Sequence, residues 1–163
     1  MNSPHTEDGV NQPEESIIDF LSPGRITLDL DTSSRKRLFE YIAEVSAKEL
    51  EDIEEDCIFK TITERERLGS TGLGRGIAVP HGRIESLESP VISLVRLKHP
   101  IDYDAPDNRP VWLAVGLLVP LEANETHLKL LSKLATCFQD ADFVKSLRQC
   151  QYIEQVSQLF EDV

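Results

Sequence analysis

Apolar positions recur along the chain with two periods, and their alternation sets out the elements. Ile26, Leu28 and Leu30 alternate with Thr27 and Asp29, the period of a half-buried strand. A short apolar turn from Ile17 to Leu21 and the turn signal Ser22-Pro23-Gly24 precede it. Ser33 or Ser34 caps a helix reaching about Leu50, with Leu38, Tyr41, Ile42 and Val45 as its apolar stripe. A second helix ends near Leu68 and is expected to bury Ile58, Ile62 and Leu68. Arg65, three residues from Ile62 and three from Leu68, shares that inward stripe, while Glu64, Glu66 and Arg67 point elsewhere. A guanidinium on an apolar face requires an anionic partner. Thr63 and Glu66 can alternatively form a capping box that restarts the helix, and in either case Gly69 ends it.

Three strands follow: Ile77 to Val79, Val91 to Leu97, and Val111 to Val119. The last is apolar throughout and is therefore central and covered on both faces. Asn124 is placed as the cap of a helix with the stripe Leu130, Leu131, Leu134 and Phe138. His127 lies on the buried side of its first turn. Helical stretches from Asp142 to Gln149 and from Tyr152 to Glu161 close the chain. Strands interleaved with helices predict an α/β fold, a three-layer α/β/α arrangement with a mixed sheet flanked by helices. Residues 1–13 carry Pro4, Gly9 and Pro13 without apolar periodicity and read as a disordered tail, leaving one domain over 14–163.

Charge narrows the partners. Seventeen basic residues face 29 acidic ones, a net −12, which excludes the concentrated basic face that nucleic acid or an anionic membrane requires. Part of that imbalance is the acidic run between Glu49 and Asp56. At the approach to the second helix it favours the helix dipole and is read as structural. Arg35, Lys36 and Arg37 oppose the dipole of the first helix and read as a solvated face. The longest apolar run, Val111 to Leu121, is broken by Pro120 and falls short of the roughly 20 residues of a spanning helix. No charged-then-apolar leader opens the chain. Cys57, Cys137 and Cys150 are odd in number and lack CxxC spacing, which fits a reducing cytoplasm.

Against this ordinary background the run GSTGLGRGIAVPHG, Gly69 to Gly82, stands out. Gly69 and Gly74 have the separation of a phosphate loop, but Arg75 and Gly76 follow instead of Lys-Ser/Thr. The apolar strand also comes after the glycines instead of before them. Gly72, Gly74 and Gly76 fall on every second residue, which is not the dinucleotide fingerprint. Ser70 lacks a nucleophile-elbow context. His81 and His127 have no local partner at metal-ligand spacing, and a metal site leaves the glycines unexplained. A phosphohistidine site accounts for more. A neutral imidazole attacks phosphorus, and transfer between protein side chains needs chiefly positioning and charge stabilisation. Glycine N–H groups can form an anion nest, Ser70 and Thr71 can add hydroxyl donors, Arg65 a bidentate fork and His127 a further N–H. Singly, each has a plain reading: His81 a turn residue, His127 a satisfied core histidine, Arg65 a structural ion pair. Their coincidence carries the weight. His5, in the tail, and His99, before Pro100 in a loop, are incidental.

The same run, preceded by Thr63-Glu64-Arg65-Glu66 and followed by His127-Leu128-Lys129-Leu130-Leu131, resembles enzyme IIA of the bacterial phosphotransferase system, in its fructose/mannitol class. The similarity spans Ser16 to Phe160. The loop PIDYDAPDNRPV fits as well, with Asn108 where the family commonly has glycine, and Asn tolerates the left-handed conformation. Leu21-Ser22-Pro23 and the Ser-Ser-Arg-Lys-Arg helix start are most similar to the nitrogen-regulatory branch. The resemblance implies that His81 accepts a phosphoryl group at Nε2 from a small HPr-like histidine phosphocarrier. It also implies that Arg65, Ser70 and His127 hold or stabilise the phosphate, and Thr71 and Gly72 are counted among the phosphate-binding residues. It implies no cofactor and no metal, and a regulatory role directed at targets such as potassium transport or sensor components. Two alternatives stay open: a sugar-specific IIA passing phosphate to a IIB partner, and a binding module that is never phosphorylated.

Overall fold

The computed structural model describes residues 15–163, and the expected tail lies outside them. A short 3₁₀ turn (Ile17–Phe20) leads directly into β1 (Leu21–Leu30). The Ser22-Pro23-Gly24 turn signal is therefore a bulge inside one strand. Leu21 pairs with Ile92 and Ile26 with Leu94, so five steps along β1 match two on its partner. Arg25 fills the bulge, donating to the carbonyls of Ile92 (3.0 Å) and Phe20 (2.8 Å) and pairing with Glu49. Helix α1 (Arg35–Ala47) starts where Ser34 Oγ accepts the Arg37 N–H and stops short of Leu50. Helix α2 (Glu55–Arg67) is continuous, with no restart at Thr63.

Two short strands were not foreseen. β2 (Gly72–Gly74) forms a hairpin with β3 (Ile77–Ala78), and β4 (His81–Ile84) follows immediately. β5 (Val91–Ile101) runs past Leu97, so His99 and Pro100 lie in a bulge of that strand and not in a loop. β6 (Val111–Pro120) is buried from Val111 to Val119, as its uninterrupted apolar run requires. It pairs antiparallel with β5 on one side, and on the other parallel with β3 and then β4. The sheet order is β1-β5-β6-β3-β2 with β4 joining β6. This is the mixed sheet of an α/β protein.

Helices cover both faces. α1 and α2 pack Leu38, Phe39, Ile42, Ile58 and Ile62 on one side. On the other lie the 3₁₀ turn, α3 (Asn124–Gln139), α4 (Ala141–Gln149) and α5 (Ile153–Glu161), with Leu130, Leu134, Phe138 and Phe160 inward. Asn124 is the first helical residue of α3 and not its cap, a place taken by Ala123. The pleat of β4 then decides the site. Gly82 and Ile84 face α2, so His81 and, two residues on, Arg83 face α3. A Cβ on Gly82 would sit 2.6 Å from Thr61 Cγ2, so its glycine lets α2 approach the strand beside His81.

Candidate functional site

His81 opens β4 and is 8% exposed. Its Nδ1 lies 2.7 Å from the Val79 carbonyl, which can only accept, so Nδ1 carries the proton and Nε2 keeps its lone pair. His127, in the first turn of α3 and equally buried, stands edge-on to it, with ring centroids 5.1 Å apart and planes at 68°. Among the described residues no group pairs with His127 Nε2. Beside the His81 nucleophile the second ring thus holds a buried nitrogen that none of the described residues bonds.

Electrostatics keeps both rings neutral. Burial pushes the His81 pKa below its ordinary value, helped by the positive charge of Arg65. The Val79 hydrogen bond and the charge of Glu66 oppose the shift. For His127 burial is again the main cause, reinforced by His81, Arg83 and Arg65, and its pKa falls to about 4. Arg65 acts on both histidines and so belongs to their surroundings. Its Nη1 donates to the Gly69 carbonyl (3.0 Å). It is half-buried at the end of α2 as the stripe predicted, but the other inward assignments around it change. Leu68 is 85% exposed, and Glu66, expected to point outward, is buried. The spacing Ile58-Ile62-Glu66, four and four, carried that signal.

The hydroxyls and glycines are placed differently from expectation. Thr71 is buried with its hydroxyl bonded to the Glu66 carboxylate and to Tyr103 Oη (2.9 Å), and its N–H bonded to Glu66 Oε1 (3.1 Å). It is not available to a phosphate. The Gly72 N–H donates to Ser70 Oγ (3.1 Å), and a Cβ on Gly72 would lie 2.9 Å from that of Ala105, so this glycine serves packing. The anticipated glycine nest does not form at His81. Gly74 and Gly76 take φ of 86° and 83° to turn the β2–β3 hairpin at the level of Leu113. His81 pairs with Leu117, four residues further along β6, about 13 Å away at ~3.3 Å per residue. Ser70, by contrast, borders Thr71, whose carbonyl holds the Val79 N–H (3.0 Å), and so sits on the His81 side of the hairpin. Arg83 was overlooked. Period two on a strand was the signal, since residues 81 and 83 share a face.

Asn108 takes the left-handed φ of 57° anticipated for it. Cys57, Cys137 and Cys150 are free thiols. Among the described residues no group of three His, Cys, Asp or Glu side chains could hold a metal, and no helix is long and apolar enough to cross a membrane.

A mixed six-stranded sheet with one histidine on a short strand beside β6, backed by a second from a neighbouring helix, defines a recognised class. The model of the family described as "Phosphoenolpyruvate-dependent sugar phosphotransferase system, EIIA 2" matches residues 19–163, and the chain belongs to that family. Within it, the chain is 41% identical over 144 residues to a nitrogen regulatory protein of Pseudomonas aeruginosa, covering 88% of this chain and 94% of that one. It is also 41% identical over 130 residues to the nitrogen regulatory protein of Escherichia coli, 79% of each. The crystal structure of the nitrogen regulatory protein IIA-Ntr from Neisseria meningitidis superposes with a TM-score of 0.84 at 37% identity, over 88% of this chain and 98% of that one. The mannitol IIA of Escherichia coli shares the fold, with a TM-score of 0.71 at 19% identity over 85% and 97%.

Proposed function

We propose that the protein is a regulatory phosphocarrier that accepts a phosphoryl group on His81 Nε2 from a small HPr-like histidine phosphocarrier. The observation that carries this reading is the pairing of His81, its Nδ1–H held by Val79, with a buried His127 whose Nε2 has no partner among the described residues. In the transfer the donor's phosphorus–nitrogen bond breaks as the Nε2–phosphorus bond forms. The donor ring, protonated at its other nitrogen, leaves as neutral imidazole with the electron pair of the broken bond. His81 keeps its Nδ1 proton and takes up the positive charge of the phosphorylated ring, so no proton must move. Charge on the equatorial oxygens is met by His127 Nε2–H, the Arg65 guanidinium and the Ser70 hydroxyl. Arg83, whose charge reaches His127, adds a second cation at the rim.

The depressed pKa of His127 suits this role, since a neutral ring lends an N–H without first carrying a charge that would hold phosphate too tightly. Leu68 and Leu128 are 85% and 68% exposed beside this site, apolar surface suited to a protein donor. Identity to the nitrogen regulatory proteins favours a regulatory output in the cytoplasm, with targets such as potassium transport or sensor components, over onward transfer to a sugar IIB protein. Phosphoryl transfer from the labelled donor to wild type and His81→Ala tests the reading. Label is expected on wild type alone, and label surviving in His81→Ala would overturn it. Incubating the labelled protein with sugar-branch IIB proteins tests the regulatory output, with no onward transfer expected.

A further inference from the structure

Glu66 takes no part in the chemistry above, yet it is a carboxylate 7% exposed on α2, in the position where a third Ile would continue the Ile58-Ile62 stripe. Burying a carboxylate is unfavourable unless donors surround it. Here they do. Oε1 accepts the Thr71 N–H (3.1 Å), and Oε2 accepts the Thr71 hydroxyl and the Tyr103 hydroxyl (3.3 Å). Arg35 Nη1 lies 3.8 Å from Oε1 while donating to the Tyr103 carbonyl (2.8 Å). Two bonds from one carboxylate to one residue fix both the place and the orientation of Thr71. The Thr71 carbonyl in turn accepts the Val79 N–H (3.0 Å), and the Val79 carbonyl accepts the His81 Nδ1–H (2.7 Å). The line from Glu66 to the imidazole is unbroken.

We propose that Glu66 is a positioning residue for His81: through Thr71 and Val79 it fixes the tautomer and the angle of the imidazole. A histidine ring bonded at Nδ1 to a well-held acceptor is locked with Nε2 unprotonated, and the firmness of the lock depends on what holds the acceptor. Val79 is held from the Thr71 side, and Thr71 is held by Glu66. The adjacent Arg65 clamps Gly69, so two neighbouring residues of α2 pin the chain on both sides of Ser70. The charge of Glu66 has a separate effect, favouring the protonated ring and opposing Arg65. The kinetic part of this inference rests on the phosphocarrier reading; the tautomer part does not.

The test uses the full chain with ¹⁵N-labelled histidine, reading the His81 ring nitrogens by NMR alongside the rate of phosphoryl transfer. Wild type is expected to show the Nδ1–H tautomer. Glu66→Leu extends the apolar stripe but strips Thr71 of its acceptors. It should let Nε2–H tautomer appear at His81 and slow transfer about 10-fold, the scale of an outer-shell support. Glu66→Gln again offers an acceptor to the Thr71 N–H and should restore most of the tautomer and rate. Having lost the charge, it should still titrate His81 at lower pH. A purely structural Glu66 would change the melting temperature and leave the His81 tautomer where it was. A folded Glu66→Leu with the wild-type tautomer and a rate within twofold overturns the proposal. If that variant does not fold, Thr71→Val decides, with a few-fold loss and a mixed tautomer expected and wild-type behaviour overturning it. If wild type takes no label, the phosphocarrier reading falls and the tautomer comparison alone judges Glu66.

Discussion

Replacing His127 by Leu should make the protein more stable and a far poorer phosphoryl acceptor. His127 is 8% exposed and its Nε2 has no partner among the described residues, so the folded chain holds a buried polar atom in waiting. Such an atom costs about 1–3 kcal/mol. Leu removes it and fits the apolar flank of α3. The loss is the edge-on contact with His81, worth about 0.5–1.5 kcal/mol for a ring pair. The balance is a gain of roughly 0.5–1.5 kcal/mol. For a chain of 163 residues that is a rise in melting temperature of about 1–5 °C. Transfer moves the other way, because one preorganised donor to developing charge is worth about 10²–10³-fold. Urea titration followed by the fluorescence of Trp112, the single tryptophan, gives the first quantity, and label uptake from a phosphorylated donor gives the second. A variant destabilised by more than about 2 kcal/mol, or one that accepts phosphate at the wild-type rate, would refute this account of His127.

Three further outcomes are expected. Both site histidines have folded pKa values below the unfolded 6.5, so between that value and about 4 the unfolded chain binds more protons. Stability is therefore full above pH 6.5 and falls as pH drops towards 4. His127→Leu should flatten that part of a urea-midpoint profile, and an unchanged slope would contradict it. Gly76→Ala should destabilise by about 3 kcal/mol or more and shift Trp112 emission. The backbone there has φ 83° and the new Cβ would lie 2.3 Å from Trp112 Cδ1, so a wild-type melting curve would be incompatible with the hairpin geometry. Arg65→Ala and Arg83→Ala should each slow transfer without unfolding the chain. Arg65 should matter more because it acts on both rings, and equal melting curves with reversed kinetic ranking would contradict that order.

Periodicity was a good guide where one face of an element is buried. The strand at Val111, the helices after Asn124 and the inward His127 follow from it directly. It failed where very short strands are stabilised only by their neighbours. β2 and β4 are three and four residues long; β2 is held by the two-residue β3 and β4 by the distant β6, pairings that no local pattern records. The glycines misled for the same reason. Gly72, Gly76 and Gly82 are needed because Ala105, Trp112 and Thr61 come close, and these partners lie 33, 36 and 21 residues away in sequence. Glu66 was missed because the inward stripe was continued in steps of three from Ile62 through Arg65 to Leu68, although four-residue spacing from Ile62 placed Glu66 inward. Such a breach of the hydrophobic pattern is where a local rule gives way to the needs of a site.

The central claim is that phosphate travels on His81. Peptide mapping of the donor-treated protein by mass spectrometry, kept mildly alkaline so that phosphohistidine survives, tests it directly. The account predicts one phosphoryl group, on the peptide containing His81, and none in His81→Ala. A group on any other residue, or none on the wild type in the presence of a competent donor, would contradict it.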